Sequence, residues 1–370
     1  MDEKGRKEGV DYIAEKMHAL YPNQEGRFWG TLMPYFLGGK DPLDGVEVYE
    51  SEKGIPHWHY VTYGFSEQYT DEDGDDEYDD DEYEDNEELE EDLDRISGFG
   101  FELTFRLKKD SDEPPTWPIS MLQNLARHVF STGDCFDAGH HLDCNGPVAL
   151  ETDTKLTALG FCIDPELGEM ETCNGYVKFL QAVALTRDEM YGMMHWVGSK
   201  FLEELFRFVP YGVADLGRDS LLNNMEFKQI LDKGIEQDGS ATGGLYVTNM
   251  KWYMDKKNGQ LVTIELGAMH VESILTMLRG RVEKKRRLDI IVVGDRKFNT
   301  LCIEYADEPM YDDSDKDFVC LNLPMKVLKE IQTIVKPHVG TYVCCSMPLQ
   351  FLVLRSEIKD CNGKVVEVIE

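Results

Sequence analysis

The chain has 370 residues, of which 42% are hydrophobic, and this length predicts two domains that each bury a core. Its formal net charge of −33 argues against direct nucleic-acid binding, because a surface that binds phosphate needs clustered Lys and Arg. No apolar stretch reaches the ~18–20 residues of a membrane span and no signal-peptide pattern is present, so we expect a cytoplasmic protein without a membrane segment.

The first predicted elements are a helix and a pair of strands. Apolar residues spaced three to four apart predict an amphipathic helix from Val10 to Leu20. Strand-like blocks follow at 57–65 and 99–107, and the second block alternates apolar residues on one face. Between the blocks, residues 71–94 hold 18 Asp and Glu in 24 positions, which leaves a charge of −15 for the rest of the chain. We expect this run to be a disordered surface loop.

The middle of the chain predicts alternating helices and strands. A helix is expected at 119–129 and strands at 155–163 and 175–185. Thr186-Arg187-Asp188-Glu189 matches a capping box, which predicts that a helix begins there and continues over 190–208.

The C-terminal part is richer in strands. Residues 234–244 contain four glycines and predict a linker. Asn258-Gly259 predicts a hairpin turn, and residues 270–280 fit either a helix or a strand. A helix is predicted at 325–335, and the remaining predicted elements are strands at 288–293, 298–305, 318–323, 341–345 and 349–354.

Two segments contain residue types that can act as metal ligands. His57 and His59 lie on one side of a predicted strand, and the loop 135–144 combines Cys, His and Asp. Two ligands do not close a zinc site, and the loop spacing fits no familiar zinc pattern, so the ordinary interpretation is hydrogen-bonded polar residues. Nucleophile and phosphate-binding motifs are lacking. The nine cysteines are odd in number and have no repeated spacing, which predicts reduced thiols.

Several sequence blocks together resemble the suppressor-of-fused family. The longest is Ser97-Gly98-Phe99-Gly100-Phe101-Glu102-Leu103-Thr104-Phe105-Arg106-Leu107. The other matching blocks are Leu20-Tyr21-Pro22, Phe36-Leu37-Gly38-Gly39, Asp41-Pro42-Leu43-Asp44, His57-Trp58-His59-Tyr60, Pro114-Pro115-Thr116-Trp117-Pro118, Leu125-Ala126-Arg127, Asp232-Lys233-Gly234-Ile235-Glu236 and Asp238-Gly239-Ser240. The match covers about 20–240, and Leu278-Arg279-Gly280-Arg281 extends it toward the two-domain form of the family.

The resemblance implies a non-enzymatic protein that captures an extended partner peptide between two domains by strand addition. In animal relatives the partner is a transcription factor, whereas bacterial members are linked to toxin neutralisation. The family's partner-contacting Tyr and first Asp correspond here to His128 and His140, and the later Asp is kept as Asp164. The second-domain contacts align near Met269 and Ser273.

The sequence therefore predicts an α+β protein with two domains, each a mixed sheet packed with helices. The predicted division is 1–233 for the N-terminal domain, 234–244 for a short Gly-rich linker and 245–370 for the C-terminal domain. The predicted function is protein binding without a cofactor, with toxin neutralisation first and sequestration of a transcription regulator second. A Cys/His or metal-dependent enzyme built on the loop 135–144 is the alternative from a different class.

Overall fold

The structure is a computed structural model that describes residues 3–33, 35–67, 96–255, 260–293, 299–312, 318–359 and 365–370. The acidic run 71–94 and the Asn258-Gly259 turn lie outside the described residues. The chain groups into two compact units. The first unit comprises 1–140, 147–184 and 206–218, and the second comprises 141–146, 185–205 and 219–370.

Helices and strands alternate along the whole described chain, which confirms the α+β class. The helices are α1 (Glu3–Leu20), α2 (Trp117–Thr132), α3 (Arg187–His195), α4 (Gly198–Phe206), α5 (Met225–Asp238), α6 (Ala268–Gly280) and α7 (Met325–Ile334). The strands are β1 (Arg27–Gly30), β2 (Gly45–Ser51), β3 (His57–Tyr63), β4 (Ile96–Lys108), β5 (His141–Asp143), β6 (Leu156–Ile163), β7 (Glu169–Thr172), β8 (Gly175–Thr186), β9 (Gly244–Val247), β10 (Lys251–Asp255), β11 (Leu261–Gly267), β12 (Leu288–Val292), β13 (Asn299–Tyr305), β14 (Met310–Asp312), β15 (Phe318–Leu323), β16 (Gly340–Val343), β17 (Leu349–Leu354), β18 (Ser356–Lys359) and β19 (Val365–Ile369).

The first unit is built on a mixed sheet in the order β1-β2-β3-β4-β8-β6. The predicted strand blocks form β3 and β4, which pair antiparallel, while β4 and β8 run parallel. Phe101, Leu103 and Phe105 face one side of β4 and are fully buried, as the alternation predicts. Residues of α1 pack on the other side of the sheet, where Ile13 and Met17 join a cluster with Tyr49.

The second unit contains two larger mixed sheets and one hairpin. One sheet has the order β10-β11-β17-β16 and the other β14-β15-β13-β12-β9, and β18 pairs with β19. Helices α6 and α7 pack into a core of aliphatic side chains contributed by both sheets. The strands and the helix predicted beyond residue 288 are confirmed within a few residues.

Three segments differ from the sequence prediction or complete it. The helix predicted over 190–208 is broken into α3 and α4 because Trp196 adopts an extended conformation, with its indole Nε1 donating to Asp238 at 2.8 Å. The ambiguous segment 270–280 is helical within α6. Residues 234–238, expected to begin the linker, complete α5, and the division of the chain at 234–244 stays a prediction.

None of the helices in the described part of the chain combines the length and the apolar character that a membrane span requires.

Candidate functional site

A group of charged and polar side chains is buried beneath α1 in the first unit. Glu102, Thr104 and Arg106 occupy the face of β4 opposite its phenylalanines, and each has no exposed surface. Both faces of this strand are covered, so these polar groups need partners inside the protein. The resulting cluster, which we call the Arg106 network, joins Arg106 to Asp164, Glu166, Gln181 and His59.

Asp164 is the centre of the Arg106 network. Its two carboxylate oxygens accept from the Arg106 guanidinium at 2.5 and 3.0 Å, and Oδ2 also accepts from the Thr104 hydroxyl at 2.7 Å. Oδ1 accepts the backbone N–H groups of Glu166 and Leu167, each at 2.9 Å. Burial alone would raise the pKa of the Asp164 carboxyl, but Arg106 and His59 outweigh it and hold that pKa well below its usual value.

His59 connects α1 to this network. Its Nε2 lies 3.4 Å from Oδ2 of Asp164, and its Nδ1 forms a 2.8 Å hydrogen bond with the Tyr21 hydroxyl at the end of α1. Burial and the nearby Arg106 charge lower the pKa of His59, which therefore stays neutral at pH 7. His57, the other member of the possible metal pair, has its Nδ1 2.7 Å from the carbonyl of Ile55.

The Arg106 network explains where the predicted contact Asp164 lies. Its side chain is 1% exposed and its oxygens are occupied by internal donors, so in this structure it orders the segment around Glu166 and Leu167. Arg106 was not among the site residues predicted from the sequence. Its position could have suggested a buried ion pair, because it is a basic residue in a strand whose other face is apolar.

His128 and His140 are both exposed on the first unit, and each contacts the segment Phe136–Asp137. The exposed His128 ring is 5.9 Å from the ring of Phe136, which stacks on Phe161 at 4.3 Å. His140 is also exposed, and its Nδ1 accepts from the backbone N–H of Asp137 at 3.1 Å. The structure thus places both histidines around the Phe136–Asp137 turn. Their partner-binding role stays a prediction.

A cleft of about 490 Å³ opens on the second unit and includes the predicted contact Met269. Ser273 is half-buried on α6, one turn further along. The cleft is lined by Asp143, Asn145, Arg187, Tyr191, Thr248, Asn249, Gly267, Met269, His270, Arg355, Ser356, Glu357 and Ile358. The lining is mostly polar and carries both signs of charge, a composition suited to a peptide with polar side chains.

Hydrogen bonds connect several of the residues that line this cleft. The Ser356 hydroxyl accepts from the backbone N–H of Met269 at 3.2 Å, and His270 Nε2 accepts from the N–H of Thr248 at 3.2 Å. Burial lowers the pKa of His270, which keeps the ring neutral and able to accept this bond at pH 7. These two hydrogen bonds join neutral groups. The ion pairs among the lining residues, Arg187–Asp143 and Arg355–Glu357, are partly exposed.

Strand β9 ends at this cleft and forms the edge of its sheet. Asp289 N donates to the Gly243 carbonyl and Val293 N to the Val247 carbonyl, so odd-numbered residues of this segment turn their polar groups toward β12. Even-numbered residues consequently turn theirs toward the open edge. Tyr246, 66% exposed, is the central one. Such an edge is a template for an added strand.

The loop 135–144 does not assemble metal ligands within the described parts of the chain. Cys135 is exposed, Cys144 is half-buried, and His140 is occupied by the Asp137 backbone. No group of three His, Cys, Asp or Glu side chains in the described residues has the arrangement of a metal site.

The fold and these sites define a class: an α+β protein of two compact units with an exposed strand edge beside a polar cleft. Residues 39–219 match the family model described as suppressor of fused protein. The suppressor of fused homologs of Homo sapiens and Mus musculus are each 34% identical to the chain over 252 residues, covering 64% of this chain and 49% of the relative. These matches support the suppressor-of-fused family, with the family model covering residues 39–219 of the chain.

Solved structures show the same fold. The crystal structure of Drosophila Suppressor of Fused matches with a TM-score of 0.75 at 21% identity, over 95% of this chain and 99% of that one. A chain of the Sufu-Fu complex crystal structure matches with a TM-score of 0.53 at 29% identity, over 62% of this chain and 98% of that one. The chain spans about half the length of the curated relatives it matches.

Proposed function

We propose that this chain is a non-enzymatic regulator that binds a protein partner by adding an extended partner segment to the open edge of β9. The observation that carries the proposal is the outward-facing backbone of β9 at the mouth of the polar cleft. Four residues of β9 span about 13 Å, which is enough for a short strand to pair. Backbone hydrogen bonds would supply affinity, and the cleft residues would select the partner's side chains.

Two kinds of partner were predicted, and the comparisons favour the second. Toxin neutralisation was the first hypothesis, but the curated relatives are suppressor of fused homologs, and one matching structure is described as a Sufu-Fu complex. These relatives support sequestration of a regulatory protein. The five predicted contacts His128, His140, Asp164, Met269 and Ser273 are retained as proposals, with Asp164 acting through the segment that it orders.

The test replaces Tyr246 in two ways. Tyr246→Pro removes the outward N–H that an added strand needs, and proline is tolerated on an edge strand whose N–H faces solvent. Tyr246→Ala keeps that N–H and loses only the side chain. A tagged full-length chain would first capture partners from its native host, and their identities would come from mass spectrometry. The affinity of the purified partner for each variant would then be measured by calorimetry.

We expect Tyr246→Pro to weaken binding at least tenfold, the equivalent of about 1.4 kcal/mol, and Tyr246→Ala to weaken it much less. Circular dichroism and thermal melting would verify that both variants fold. Equal affinities for the proline and alanine variants, both folded, would refute strand addition at β9.

A separate measurement distinguishes the enzyme alternative. Metal analysis of the purified chain, together with the Cys135→Ala and His140→Ala variants, tests the loop 135–144. We expect no stoichiometric metal in any of them. Bound metal that disappears in both variants would favour the metal-dependent alternative.

A further inference from the structure

Two cysteines face each other on neighbouring strands of the second unit. Cys302 of β13 is in register with Cys320 of β15, and the strands run parallel. Paired strands lie about 4.7–4.9 Å apart. Disulfides join Cα atoms separated by about 4.4–6.8 Å, so the register already gives this pair the spacing that a disulfide needs.

The burial pattern makes one of the two thiols accessible. Val319, Leu321 and Leu323 of β15 point into the core, whereas the intervening Cys320 is half-buried on the opposite face. Cys302 shares that face but has no exposed surface. A small reagent from solvent therefore reaches Cys320 first, with Cys302 beside it on the neighbouring strand.

Carboxylates on the two outer neighbouring strands flank the cysteine pair. Cys302 is in register with Asp289, whose carboxylate accepts from Arg287 at 2.7 Å. Cys320 is in register with Asp312 on its other side. Burial raises the pKa of the Cys302 thiol, and the Arg287 charge opposes that effect. The buried thiol is thus suited to react second, within the protein.

We propose that Cys302 and Cys320 are an oxidisable dithiol that a peroxide converts to a disulfide stapling β13 to β15. The Cys320 thiol gives up its proton, the thiolate attacks hydrogen peroxide and breaks the O–O bond to form a sulfenic acid, and the released hydroxide takes up that proton to become water. The Cys302 sulfur then attacks the sulfenic sulfur, and its proton leaves with the hydroxyl group as a second water. Two thiols and one peroxide thereby give one disulfide and two waters.

The experiment treats the full reduced chain with hydrogen peroxide, alkylates the remaining thiols and maps disulfide-linked peptides by mass spectrometry without reduction. We expect one peptide pair that links Cys302 to Cys320 and is released by dithiothreitol. The pair should be lost in Cys302→Ser and in Cys320→Ser. It should persist in Cys345→Ser, the matched control, because Cys345 is exposed and lies on another part of the unit.

The native chain decides the outcome even if a serine variant fails to fold, because peptide mapping identifies both linked residues. Cys320 recovered only as the free thiol or as sulfinic acid would overturn the proposal. A link from Cys320 to any other cysteine would also overturn it.

Discussion

The two compact units bury charge in different ways. The first encloses Arg106, Asp164 and the neutral His59 beneath a helix, where the Arg106 and Asp164 charges pair with each other. The core cluster of the second is built of hydrophobic side chains, and its buried carboxylate, Glu189, caps the start of α3 by accepting from the N–H of Thr186 at 2.9 Å. The comparison indicates that the first unit depends on specific pairings and the second on packing.

The largest difference between the units is expected when an arginine is removed from each. Arg106→Met would leave Asp164 buried without its cation, whereas Glu166 keeps its ion pair with Lys53, so we expect a loss of about 3–5 kcal/mol of unfolding free energy. Arg187→Met in the second unit removes a half-exposed partner of Asp143 and should cost about 0–1 kcal/mol. Urea unfolding of both variants is the measurement. Similar losses would show that the Arg106 network is not a special source of stability.

Acid pH provides the next test of the first unit. Burial lowers the pKa of His57 to about 4, below the 6.5 of an unfolded histidine. As pH falls from 7, the unfolded chain gains a proton that the folded chain does not, so stability falls between about pH 6.5 and pH 4. From this histidine alone we expect a loss of about 2 kcal/mol between pH 7 and pH 5.

The matched variants are His57→Gln and His128→Gln, the second on the exposed surface of α2. Urea unfolding at several pH values would compare their slopes with that of the unchanged chain. His57→Gln should reduce the slope of stability against pH, provided that it folds. An unchanged slope in a folded His57→Gln protein would contradict the assignment.

A smaller effect on stability is expected from mutations in the basic cluster of the second unit, Lys284-Lys285-Arg286-Arg287. Lys284 donates to the carbonyls of Glu236 and Gln237 at 2.8 and 2.7 Å, and Arg286 donates to Asp238 and Ser240 at 3.1 and 3.2 Å. Glu236, Gln237 and Asp238 are the last residues of α5, and Ser240 lies two residues beyond its end. The cluster therefore satisfies carbonyls at a helix C-terminus and places positive charge at the negative end of the helix dipole.

We expect Arg286→Ala to cost about 1 kcal/mol of unfolding free energy. Lys285→Ala is the control, because Lys285 instead lies over the Tyr305 ring at 5.0 Å and should cost about 0.5 kcal/mol. Chemical denaturation would compare them. A larger loss for Lys285→Ala would contradict the capping role.

Helices and strands were predicted well where a pattern of neighbouring residues determines them. The alternation in β4, the capping box at Thr186 and the strands beyond residue 288 are all present. The break at Trp196 could not be predicted, because the local apolar spacing continues through it, whereas its indole pairs with Asp238, 42 residues away in the chain. The Arg106 network was equally hidden, since it requires knowing which strands and helices cover both faces of β4.

The proposed binding site was only partly predictable for the same reason. Met269 was identified through family resemblance and does line the cleft. The outward-facing backbone of β9 depends on its register with β12, which no local pattern encodes. The pairing of Cys302 with Cys320 likewise follows from strand order.

The smallest effect on stability is expected from deleting the acidic run 71–94. The residues that flank it are fixed in the first unit, because Glu102 accepts from the N–H groups of Gly64 and Ser66 at 3.1 and 2.9 Å. Phe99 N also donates to the Phe65 carbonyl at 2.8 Å. These bonds do not involve the run, so the unfolding free energy should change by less than about 1 kcal/mol.

Association should change more than stability. Deletion reduces the net charge from −33 to −15, which weakens long-range attraction of a basic partner, chiefly at low salt where screening is weak. Stopped-flow association rates measured across ionic strength would compare the deleted chain with one in which the acidic residues of 71–94 are replaced by Asn and Gln at unchanged length. Both should associate more slowly than the native chain at low salt and converge with it at high salt. If the neutral replacement alone kept the native rate, the length of the segment would matter rather than its charge.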